Sequence, residues 1–157
     1  RQLTTAAGGN HSPTISPDGR TIAFVSARTG NHSLHTMGLD GSNQRRLTRS
    51  SGRETSPQYS RTGDLFYVTE RGGGSRGSRV MKIAARGGSS SAVLETEDPI
   101  TSIAVSRDGE RLAYIVGRIR DARGKAQYSL YLQPLGVRRP PVQIPLQPGE
   151  QLSSLSF

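Results

Sequence analysis

Ser12–Phe24 reads SPTISPDGRTIAF, a short strand, a tight turn at Pro17-Asp18-Gly19, and a second strand opened by Arg20. The same sentence returns as SPQYSRTGDLFYV from Ser56, and in outline as TSIAVSRDGERLAYIV from Thr101. Aligned on the turn glycines Gly19, Gly63 and Gly109, the copies lie 44 and 46 residues apart. Self-similarity at such a period announces a repeat architecture, each repeat being one unit that buries its faces against its neighbours.

Working outward, each unit carries four short strands. In the first they are Ser12–Ser16, Arg20–Ser26, Ser33–Met37 and Gln44–Thr48, with Ile22, Ala23, Phe24 and Val25 as a β-rich buried run. Asp40-Gly41 suits the hairpin between the third and fourth strands, because such turns favour residues that tolerate left-handed backbone. The second unit places strands at Ser56–Ser60, Leu65–Thr69, Arg79–Ala84 and Ala92–Glu95, and its turn has Thr62 where the first has Asp18. The third uses Thr101–Ser106, Arg111–Val116, Gln127–Gln133 and Pro141–Leu146. Arg1-Gln2-Leu3-Thr4 matches Arg45-Arg46-Leu47-Thr48 and reads as the closing strand of a preceding unit. Gln151–Phe157 reads as the opening of a further one. No window shows helical periodicity, so the fold class is all-β. The organisation expected is 1–10 closing strand and loop, 11–50 first unit, 51–98 second, 99–148 third, and 149–157 the first strand of another.

Composition narrows the function classes. The 157 residues are 32% hydrophobic and 5% aromatic, with 19 glycines and 9 prolines, which fits many turns and short strands. No stretch approaches the roughly 20 apolar residues of a membrane helix. There is no cysteine, hence neither a disulfide nor a thiolate metal site. The chain begins at Arg1 with no secretory apolar region, as a processed product or part of a longer polypeptide would. The formal charge is +9, and all the basic residues but Lys82 and Lys125 are arginine. That charge fits an acidic protein, an anionic membrane surface or nucleic acid, but equally a set of scattered, solvated arginines.

The run Ser-Pro-x-hydrophobic-Ser-Pro-Asp-Gly-Arg-x-Ile-Ala-Phe-Val-Ser at 12–26, followed by Leu-Asp-Gly-x-x-x-Arg-Leu-Thr, resembles the TolB-type β-propeller repeat. The resemblance covers nearly the whole chain, strongest at 12–48 and weakest at 101–146. It implies a partial β-propeller of about three four-stranded antiparallel blades with a flanking strand at each end. Propellers close with 4–8 blades, so the missing neighbours would come from the rest of a longer chain or from another subunit. Related blades occur in periplasmic TolB-like proteins, in prolyl-oligopeptidase-like and tricorn-type peptidases, and beside sensory or kinase domains.

No Gly-x-Ser-x-Gly nucleophile turn is present, and the histidines His11, His32 and His35 lie in one unit without an evident acidic partner. No catalytic residue, metal site or cofactor is therefore assigned. Asp18, Gly19, Gly63, Asp108 and Gly109 read as structural turn residues. Gly72–Gly77 lacks the Lys-Ser/Thr ending of a phosphate loop. In a blade, the loops after the second and fourth strands share one end. Arg28, Arg71, Arg76, Arg118, Arg120 and Arg123 are the candidate partner-binding residues there. Stacking aromatics are scarce in these loops, which argues against nucleic acid. The expected role is a non-catalytic, extracytoplasmic interaction or scaffold module that binds a protein through this loop end. Two alternatives stand beside it. One is an accessory subunit on a membrane-embedded complex of envelope transport or energy conversion, with an acidic surface and with this chain membrane-associated. The other is the propeller of a peptidase whose catalytic domain lies outside this chain.

Overall fold

A computed structural model of the protein describes residues 2–5, 7–70, 77–118, 127–146 and 155. Among these, all ladder-forming structure is strand, in three sheets. The first holds β1 (Asn10–Ile15), β2 (Thr21–Ser26), β3 (Ser33–Gly38) and β4 (Arg45–Arg46). The second holds β5 (Glu54–Tyr59), β6 (Asp64–Glu70), β7 (Ser78–Ala84) and β8 (Ser91–Thr96). The third holds β9 (Ile100–Val105), β10 (Arg111–Arg118), β11 (Gln127–Pro134) and β12 (Val142–Ile144). Each is an antiparallel meander in sequence order. The expected repeat of four-stranded antiparallel blades is what the described residues form, with no helix among them.

The outer strands of the first and third sheets are shorter than the sequence suggests. β4 has two residues in place of five, pairing only His35 with Arg46 and Thr36 with Arg45. Leu47 then leaves the ladder for an interior position, its N–H still bonded to the carbonyl of Leu34 at 2.8 Å. β12 is confined to Val142–Ile144 by the prolines on either side, which supply no N–H to a ladder.

The recurring Ser-Pro pairs mark a bulge. Ser12 and Ser56 have φ of 51° and 52°, and register slips between His11 and Thr14 and between Thr55 and Gln58. Proline cannot donate to the ladder, so an extra residue takes it out of register with the partner strand. The third unit, with Ile103 in place of proline, pairs through Ser102 and Ile103 and shifts register one residue earlier, at Thr101. The turns after β1, β5 and β9 share one geometry. Gly19, Gly63 and Gly109 take φ of 70°, 85° and 76°, in the region open to glycine, and each N–H meets the carbonyl of Ser16, Ser60 or Ser106. Ser16 Oγ donates to Asp18 at 2.6 Å and accepts from the Thr21 N–H, while Asp18 also accepts from the Arg20 N–H. Ser106 and Asp108 repeat this link. In the second turn Ser60 meets the Thr62 hydroxyl at 2.9 Å. These bonds hold the Asp18 and Asp108 carboxyls below the ordinary carboxylate range.

The sheets stack because their second strands are apolar on both faces. Ala23 and Val25 of β2 pack toward the second sheet, in one cluster with Leu34, Leu47, Leu65, Tyr67 and Ile83. The alternate residues Ile22 and Phe24 face away, packing with Met37 and under Leu3. β6 divides likewise. Leu65 and Tyr67 face the first sheet, whereas Phe66 and Val68 join Ile103, Val105, Leu112 and Tyr114 of the third. Register makes Ile22, Phe24 and Met37 the equivalents of Leu65, Tyr67 and Ile83. Leu3 thus covers the first sheet as Leu47 covers the second.

Truncating Leu47 to Ala removes a nearly buried wedge between two sheets that cannot easily close up. Urea unfolding should show a loss of about 2–4 kcal/mol; a loss below 1 kcal/mol would mean the wedge is not load-carrying.

Candidate functional site

The meander sends the β2–β3 connection and the segment before the next sheet to one end of each blade, and the β1–β2 and β3–β4 turns to the other. At the loop end of the first sheet, Asn31 Nδ2 donates to the carbonyls of Ser50, Ser51 and Gly52 at 3.1–3.3 Å, stapling the two connections together. The Glu54 N–H bonds the His32 carbonyl, and the Glu70 N–H the Arg53 carbonyl. Around the first and second sheets the described connections at this end are therefore tied to one another.

Of the candidate partner-binding arginines, Arg28 lies here, half-buried over the Phe24 ring at 5.4 Å. Its guanidinium donates to Ser26 Oγ, Gln44 Oε1 and Asn10 Oδ1 at 2.9–3.1 Å, so it braces the blade. Arg118 ends β10, at the same end of the third sheet. Arg71, Arg76, Arg120 and Arg123 lie outside the described residues, as do Lys125 and most of the glycine-rich loop. Arg46 of β4 turns its half-buried side chain toward this end, donating to Thr48 O at 2.6 Å and Ser33 Oγ at 2.9 Å.

The structure separates the three histidines. His35 is buried against Phe24, ring centroids 5.8 Å apart. The register gives the same position to Met81 and Tyr131, and Tyr131 stacks on Tyr114 at 5.2 Å. His35 is thus a core residue, held neutral mainly by burial. His11 and His32 come together at the loop end, Nε2 to Nδ1 3.1 Å, with Ser12 Oγ on the other His11 nitrogen. Burial, His32 and Arg53 each push the His11 pKa below 6.5. Among the described residues no three metal-ligating side chains gather.

One carboxylate went unnoticed in the sequence. Glu54, at the start of β5, is fully buried. It accepts from the Leu34 N–H at 2.8 Å, from Thr48 Oγ1, and from Ser50 Oγ at 2.5 Å. Its equivalents by register are Asn10 and Ile100. An acidic side chain at this position is therefore particular to the first junction, where it ties the second sheet to the first. With its oxygens so engaged, Glu54 is a clamp rather than a free acid or base.

On this geometry the chain is a partial β-propeller, three radially packed blades whose loops and turns are free to differ. A family model described as the TolB beta propeller domain matches residues 1–130. The chain belongs to that family. An uncharacterized protein of Agrobacterium fabrum is 41% identical over 63 residues, 40% of this chain and 22% of its own length. Among solved structures, TolB from Acinetobacter baumannii superposes with a TM-score of 0.66 at 23% identity, covering 85% of this chain and 32% of that one. A puromycin hydrolase superposes over 100% of this chain and 25% of its own, with a TM-score of 0.73 and 17% identity. The chain thus spans a third or less of each of these proteins, and the likeness to the solved structures is one of fold.

Replacing Glu54 with Ala removes the shared acceptor of the Leu34 N–H and the Thr48 and Ser50 hydroxyls, leaving that N–H only its bond to Thr48 Oγ1 at 3.0 Å, and should cost about 3 kcal/mol in urea unfolding; a change under 1 kcal/mol would remove the clamp. The fold favours neutral His11, so its contribution to stability is present above pH 6.5 and is lost as pH falls through that range. In an NMR titration the His11 ring should show a midpoint below 6.5 that rises in His32→Ala. A midpoint unmoved by that substitution would refute the coupling.

Proposed function

We propose that this TolB-family segment is a non-catalytic interaction module, acting outside the cytoplasm, which binds a partner protein through the loop end of its blades. The observation that carries the reading is the stapled loop end. Asn31 and Glu54 fix the connections of the first junction against the sheets beneath, so a partner meeting that part of the end loses little entropy in ordering it. Arg28 holds that surface in form, and Arg71, Arg76, Arg118, Arg120 and Arg123 supply its positive charge. The partner is then a protein with an acidic face, either free in the periplasm or part of a membrane complex. Among the described residues no helix is long and apolar enough to cross a membrane.

The likeness to puromycin hydrolase over the full chain favours a second reading, in which these blades stand beside a catalytic domain in the same polypeptide. The two readings part on the whole protein. A peptidase activity in the full-length chain would select the second.

The first reading is tested by reversing Arg118, Arg120 and Arg123 to Glu in the full-length protein and comparing cross-linked partners. The expected outcome is a weaker yield of a defined partner, with a reduced dependence on salt. An unchanged yield of the same partners would overturn it.

A further inference from the structure

The opposite end of the blades carries a feature that the loop-end reading does not use. A cleft of about 610 Å³ opens between the turns of the first and second blades. Arg20, Arg45, Arg61 and Arg86 line it, all exposed, with Asp18 as the one acidic residue. Asp18 is already engaged by Ser16 Oγ and the Arg20 N–H. Arg45 donates to the Ala85 carbonyl at 3.3 Å, which points it across the junction. Arg61 and Arg86 make no side-chain hydrogen bond or ion pair among the described residues.

An arginine-rich chain would line many clefts with positive charge by chance, but the repeat supplies an internal control. A cleft of similar volume, about 690 Å³, lies at the same end of the next junction, between β6–β8 of the second blade and the turns of the third. Its ionisable lining is Lys82 and Glu110, and Lys82 is paired with Asp64 at 2.7 Å. One architecture thus gives a neutral cleft at one junction and a strongly basic one at the next. The turns that carry Arg20, Arg61 and Arg86 need no arginine for their own geometry, since backbone bonds close all three, with Ser16–Asp18 added in the first and Ser60–Thr62 in the second.

We propose that the cleft between the first two blades is a docking site for an acidic peptide segment, whose Asp and Glu carboxylates are gripped by Arg20, Arg45, Arg61 and Arg86. Guanidinium forks match carboxylates in a two-point geometry, and a slot between rigid sheets suits an extended chain. The surface lies at the other end of the blades from the loop surface and stands or falls independently of it.

The test is fluorescence anisotropy of a labelled oligoglutamate peptide with the full chain, at low and moderate salt. Arg61→Glu combined with Arg86→Glu should weaken binding at least about tenfold without moving the urea midpoint. Arg138→Glu combined with Arg139→Glu, equal in charge change but on exposed residues of the third blade, should leave it within about twofold. Equal losses in both double variants would reduce the effect to net charge and overturn the proposal, as would no measurable binding. Tighter binding of an oligogalacturonate of matched charge would overturn the assignment to a peptide.

Discussion

A leucine that leaves its own ladder to wedge against the next sheet is the contact on which the whole arrangement depends. Leu47 does this against Leu65, Tyr67 and Ile83, and Leu3 repeats it against Ile22, Phe24 and Met37. At the third sheet Val93 and Leu94 take the corresponding place beside Leu112 and Tyr114. A four-stranded sheet whose central strand is apolar on both faces cannot satisfy both alone. The second blade is buried on both faces between the first and third, and the stack propagates by nearest-neighbour contact.

That constraint separates what must recur from what can vary. Positions facing a neighbouring blade keep a side chain that packs even when the residue changes. His35, Met81 and Tyr131 fill one register position with an imidazole, a thioether and a phenol, each against the aromatic ring of the adjacent strand. The ends of the strands are under no such demand. The first junction therefore has a buried Glu54 at the loop end and four arginines at the turn end, while the second has Ile100 and a neutral cleft. Function in such a chain is read from differences between equivalent positions rather than from the repeat itself.

The architecture was legible because it rests on period and alternation. The spacing of the turn glycines and the run Ile22–Val25 suffice to place three four-stranded sheets, since a strand buried on both faces has few other readings. The details that escaped depend on contacts distant in sequence. Nothing near Glu54 shows that it accepts from Leu34, twenty residues earlier. Nothing near Arg28 shows that Asn10 and Gln44 converge on it. Nothing near Arg46 shows that its guanidinium finds Ser33, thirteen residues earlier. Grouping Arg20, Arg45, Arg61 and Arg86 required knowing which turns of neighbouring blades adjoin.

Native-state hydrogen exchange on a Leu65→Ala variant tests the stacking most directly, because Leu65 belongs to the second sheet but buries its side chain against the first. Coupling between blades predicts faster exchange in the amides of Thr21–Ser26 and Ser33–Gly38, across the junction, as well as around the substitution. Acceleration confined to Glu54–Thr96, with the first sheet as protected as before, would contradict it.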